Sequence, residues 1–71
     1  MNNIAEIIGR NLLRLRLEAG LTHVQLADKM DCYDEHAISR WECGRNAPTA
    51  YYLYQIAKAL GCTIDELFRE D

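Results

Sequence analysis

No run of apolar residues in this chain is longer than a few positions. A membrane-spanning helix needs about 20, so none is expected. The first residues, Met1-Asn2-Asn3-Ile4-Ala5-Glu6, lack a basic segment followed by an apolar one and do not read as a secretory leader. Cysteine is scarce and odd in number: Cys32, Cys43 and Cys62, with no pair at C-x-x-C spacing. That excludes a disulfide-stapled secreted domain and points to a reducing cytoplasm. Each cysteine reads as a small, partly buried hydrophobe. Cys32, His36 and Cys43 lack the tight ligand pairs of a zinc site, so no metal is expected. There is no glycine-rich phosphate loop and no nucleophile elbow. Asp34, His36 and Ser39 carry the letters of a catalytic triad, but they crowd into one turn with no oxyanion hole. The chain therefore does not read as an enzyme, and no cofactor or small-molecule ligand is implied. A basic excess is missing too: eight basic against eleven acidic residues leave a net charge of −3.

What remains is a chain of 71 residues, 49% apolar and 27% charged, enough for one globular domain spanning residues 1–71. A chain this short buries only about 60% of its unfolded surface, so its core is modest. The charge is uneven. Asp65, Glu66, Glu70 and Asp71 against Arg69 give residues 62–71 the whole net charge of −3 and leave the other sixty-one neutral. Residues 69–71 read as a short acidic tail.

No segment alternates with period two, so no sheet is expected, and the periodicity is helical throughout. Ile4, Ile8, Leu12 and Leu15 form one face of a first helix that stops at Gly20. Thr22 and Gln25 make a capping box before Leu26, Ala27 and Met30. Asp31-Cys32-Tyr33-Asp34 is a turn by composition. Asp34 caps a third helix, with Glu35 at its positive end and Ile38 and Trp41 inward. Thr49, after Pro48, caps a fourth helix carrying Leu53, Ile56, Ala57 and Leu60, which Gly61 stops. Thr63 and Glu66 form a second capping box for a short fifth helix with Ile64, Leu67 and Phe68 inward. The fold class is all-α, five short helices.

The order of these pieces resembles the helix-turn-helix domain of the Cro/phage-repressor type, also called XRE-like. The resemblance rests on Arg16 with Gly20-Leu21-Thr22, Leu26-Ala27, Ile38 through Arg45, Pro48-Thr49, Leu53 with Ile56 through Gly61, and Asp65-Glu66-Leu67. It implies a compact lambda-repressor-like bundle whose second and third helices form the motif, about residues 22–43. Ala27 is small where those helices cross, and Ile38 and Trp41 leave the opposite face of the third helix free for a major groove. The family usually has a glycine at the motif turn and one residue fewer there. Here Asp31-Cys32 stands in that region, with Tyr33 as its apolar plug. His23 replaces the usual glutamine at the start of the second helix.

The resemblance implies sequence-specific binding of double-stranded DNA by a transcriptional regulator, a repressor acting at an operator. Glu35, His36 and Arg40 fall at base-reading positions, though Glu35 also suits a helix-dipole partner. His23, Arg45, Asn46 and Arg10, with Asn11 as a further candidate, fall at phosphate positions. Arg16 and Glu42 fall at a structural ion pair joining the first and third helices. Paired half-sites imply an inverted repeat and a homodimer, at least on DNA. Tyr51, Tyr52 and Tyr54 are the candidate dimer contacts. Leu13 and Leu17 either add to such a surface or pack under the fifth helix. The alternative is a protein-binding member of the fold, antitoxin-like or anti-repressor, using the acidic start of the third helix. Either role places the protein in the cytoplasm, the first one at the nucleoid.

Overall fold

Each helix begins where a short polar side chain takes up a backbone N–H that the helix itself leaves unpaired. In the computed structural model, which describes residues 3–31 and 34–70, the order is α1 (Ile4–Glu18), α2 (His23–Lys29), α3 (Glu35–Glu42), α4 (Ala50–Leu60) and α5 (Ile64–Leu67). Asn3 caps α1: its Oδ1 accepts from the Glu6 N–H at 2.8 Å, and Glu6 accepts from the Asn3 N–H at 3.3 Å. Thr22 and Gln25 do the same for α2, at 3.1 and 2.9 Å. Asp34 caps α3 and Thr49 caps α4. Thr63 accepts from the Glu66 N–H at 3.3 Å, but the returning bond of the expected second box is not formed among the described residues. α4 ends at Gly61, whose φ of +68° lies in the left-handed region.

Leu12, Leu26, Ala27, Met30, Ile38, Trp41, Ile56 and Leu67 form the buried core. α1 packs on α3 and α5, α2 on α3 and α4, and α4 on α5. Tyr52 closes one side, its ring 5.3 Å from that of Trp41 at an angle of 44°. No helix among the described residues is long and apolar enough to cross a membrane.

Three side chains expected inward point to water: Ile4, Ile64 and Phe68 are exposed. Ile4 is the first residue of α1 and lies beyond the edge of the core. α5 is a single turn of four residues, and of these only Leu67 is buried.

Asn11 differs from its expected role as well. It lies on the same face of α1 as Ile8, Leu12 and Leu15 and is buried, not free for a phosphate. Its Nδ2 donates to the carbonyl oxygens of Leu67 at 2.9 Å and Arg69 at 2.8 Å. Leu67 ends α5 and Arg69 lies beyond it, where pairing within the helix does not reach. Arg14 Nη2 donates to Asn11 Oδ1 at 3.1 Å, which completes the amide. Asn11→Ala leaves those carbonyls short of donors, a loss of about 1–3 kcal/mol. Hydrogen exchange is expected to show faster amide exchange at the C-terminal turn. Unchanged protection there would show that the Asn11 amide does not hold α5.

Candidate nucleic-acid interface

The outer face of α3 is set by what its inner face buries. Ile38 and Trp41 are buried against the core, so Glu35, His36 and Arg40 project from the other side of the helix. His36 is the most open, its side chain 79% exposed and Nε2 3.9 Å from Glu35 Oε1. Arg40 is half exposed, and its Nη2 lies 3.6 Å from Asp34 Oδ2. The other oxygen of the same carboxylate, Oδ1, accepts from the His36 N–H at 3.0 Å. Asp34 thus caps the helix and faces Arg40 at once. The three side chains named as base readers share this one surface.

α3 is held from behind by a buried ion pair. Arg16 Nε donates to Glu42 Oε2 at 2.6 Å and Arg16 Nη2 to Oε1 at 3.2 Å, with side chains only 9% and 8% exposed. Arg16 Nη1 donates to the Leu21 carbonyl at 2.8 Å. The pair therefore links α1, the loop before α2, and the last turn of α3.

One edge of His23 is turned inward. Its Nε2 lies 2.9 Å from Glu42 Oε1, so that edge of the imidazole faces inward and not toward a phosphate. Thr22 caps α2 and places His23 in its first turn, where the fold brings up the Glu42 carboxylate with its spare lone pairs. Glu42 accepts from α1 and pairs with α2 at the same time.

Arg45 and Asn46 are exposed in the loop after α3. Arg10, exposed on α1, borders a shallow groove with Glu6, Leu13, Glu42, Cys43 and Gly44. That brings Arg10 alongside the chain that leads into Arg45. Next to this groove α1 and α3 come into close contact, and Gly9 is what permits it. A Cβ there would fall well inside contact distance of the Trp41 carbonyl oxygen and 2.9 Å from that of Glu42. Nothing in the local sequence pattern marks Gly9.

The motif turn takes a left-handed residue at Asp31, with φ of +58°. A short polar side chain tolerates that conformation better than most, so Asp31 supplies a geometry that glycine usually supplies. Tyr33, expected to plug the turn, and Cys32, one corner of the excluded metal trio, lie outside the described residues. Among the described residues no three His, Cys, Asp or Glu side chains gather into a metal-holding group. Cys43 is exposed and Cys62 half-buried. Burial, then the nearby Glu66 charge, pushes the Cys62 thiol above its ordinary range.

Of the three candidate dimer tyrosines, Tyr52 is turned onto Trp41. Tyr51 and Tyr54 are exposed. Leu13 and Leu17 do not pack under α5. Both are exposed, Leu17 at 61%.

A helix-turn-helix family model matches residues 12–67, which takes in α2, the turn, α3 and the core around them. The chain belongs to the XRE-type helix-turn-helix family. An uncharacterized HTH-type transcriptional regulator of Sinorhizobium fredii, y4dJ, is 35% identical over 65 residues, 92% of this chain and 83% of that protein. The clp gene regulator ClgR from Corynebacterium glutamicum has the same fold, with a TM-score of 0.85 at 24% identity over 94% of this chain and 86% of that one. The restriction-modification controller protein C.AhdI from Aeromonas hydrophila aligns with a TM-score of 0.84 at 26% identity, over 90% of this chain and 96% of that one. The lambda-repressor-like architecture expected from the sequence is the one observed. This is a family of transcriptional regulators, and its helix-turn-helix here is α2, the Asp31 turn and α3.

Proposed function

We propose that the chain is a sequence-specific regulator that binds double-stranded DNA with α3 in the major groove and represses by occupying an operator. The observation that carries this reading is the division of α3. Ile38, Trp41 and Glu42 fasten it to the body of the protein, while Glu35, His36 and Arg40 stand together on its open side. A major groove admits a helix presented in this way. Arg40 suits a two-pronged contact to guanine, Glu35 can accept from cytosine, and His36 can donate to guanine or phosphate. Arg45 and Asn46 follow α3 as phosphate contacts, with Arg10 beside them and His23 through the ring edge that Glu42 does not hold. Asp34 and Glu35 repel phosphates, but Asp34 is faced by Arg40, which softens that repulsion. Two copies on an inverted repeat fit the short reading helix, with Tyr51 and Tyr54 as the open part of the dimer contact. The action is cytoplasmic, at the chromosome, and needs no cofactor and no catalytic step.

The test is capture of fragmented genomic DNA at low and at near-physiological salt, followed by titration of the enriched site. One inverted-repeat site that survives the higher salt is the expected result. Arg40→Ala should cost about 1–3 kcal/mol and relax preference at one base pair, whereas Arg45→Ala should weaken all sequences alike and lower the salt slope by about 1. Loss of all DNA at the higher salt would refute the reading and favour a basic protein partner for the acidic start of α3.

A further inference from the structure

We infer that Asp34 is a positioning residue that sets the base preference of Arg40, an inference that rests on the DNA-reading role proposed for α3. Asp34 precedes the first turn of α3 and Arg40 belongs to its last. Yet Arg40 Nη2 lies 3.6 Å from Asp34 Oδ2, so the arginine side chain runs back along the open face toward the start of the helix. Helical side chains lean in that direction, and the carboxylate gives this one an end point. The guanidinium has five N–H donors in a fixed fork. Facing Asp34 with one of them leaves the others free for a paired contact to guanine O6 and N7.

Two consequences follow from the charge and from the geometry. A long arginine on a helix surface without a partner samples many rotamers, and several of them reach a phosphate as easily as a base. Phosphate contacts add affinity without sequence information. With Asp34 beside it, the guanidinium is drawn to the start of α3, and the same carboxylate repels the phosphate backbone. Asp34 thus lowers affinity for DNA in general and sharpens the choice of base. The carboxylate divides the two tasks between its oxygens. Oδ1 serves the helix cap through the His36 N–H at 3.0 Å, and Oδ2 serves Arg40.

This division makes the inference testable, because asparagine replaces the cap and not the charge. Asp and Asn are equally good helix caps, so Asp34→Asn should keep the thermal midpoint of the parent. Binding of the parent, Asp34→Asn, Arg40→Ala and the double variant is measured on the enriched site and on a set with each base pair changed in turn. The parent should discriminate about ten- to hundredfold at the base pair that Arg40→Ala renders indifferent. Asp34→Asn should bind every sequence more tightly and reduce discrimination at that same base pair to a few-fold. The double variant should match Arg40→Ala in discrimination, since Asp34 acts through the arginine. Uniform tightening by Asp34→Asn, with discrimination unchanged, would overturn the inference while leaving the DNA-reading role intact. An Arg40→Ala variant with the parent's full discrimination also overturns it. A parent without sequence preference removes the DNA-reading role and this inference together.

Discussion

Glu42→Ala is expected to cost about 3–5 kcal/mol of stability, the usual consequence of leaving one member of a buried ion pair alone. Arg16 Nε and Nη2 lose their acceptors, keeping only the Leu21 carbonyl at Nη1, and His23 Nε2 loses its partner as well. A domain of 71 residues has about 4–10 kcal/mol of stability in all, so the loss is a large part of the whole. At about 4–8 °C per kcal/mol for a domain of this size, the thermal midpoint should fall by about 12–40 °C. The cost comes from the stranded charge more than from the lost attraction. Replacing both partners by apolar residues, Arg16→Met with Glu42→Leu, should therefore recover much of it. A melt of Glu42→Ala with an unchanged midpoint would show that the pair contributes nothing.

Gly9→Ala should destabilise by about 1–2 kcal/mol net, although helix propensity alone favours alanine by about 1 kcal/mol. The two effects oppose each other, and contact decides the sign. The new Cβ would press on the Trp41 and Glu42 carbonyl oxygens, which are backbone and cannot rotate away. α1 and α3 would have to part, and an overfilled contact of this kind costs about 1–3 kcal/mol, occasionally more. The shift would also move the last turn of α3, so DNA affinity should fall even where the variant remains folded. A raised midpoint in differential scanning calorimetry would show that the helices have room to spare.

The helices were legible in the sequence because their signals are local. Thr22, Asp34, Thr49 and Thr63 each take up a backbone N–H two or three residues on, and the spacing of Ile38 and Trp41 places the inner face of α3. The Asn3–Glu6 box carries the same local pattern. Asn11 left a signal of another kind, a polar residue on the same helical face as Ile8, Leu12 and Leu15. Only the fold says that its amide meets the end of α5. Tyr52 shares a helix face with Ile56, one turn away, which separates it from Tyr51 and Tyr54 and could have marked it as inward. Gly9 and His23 were not legible. What fixes each is a group from a distant part of the chain, a backbone carbonyl in one case and a buried carboxylate in the other, and periodicity carries no record of either.

The carboxylate of Glu42 receives one partner from α1 and another from α2 while itself belonging to α3. The two helices of the motif are thus not a self-sufficient unit. A peptide covering the motif alone would keep His23 beside Glu42 but lack Arg16 and the Leu12 side of the core, so the crossing of α2 and α3 would lose its charged partner and its backing. Recognition through α3, as proposed, would therefore be all-or-none with folding. The outer face of α3 would be presented only in molecules whose first helix has docked, and heat or a lesion in α1 should silence DNA binding along the same sigmoid that describes unfolding.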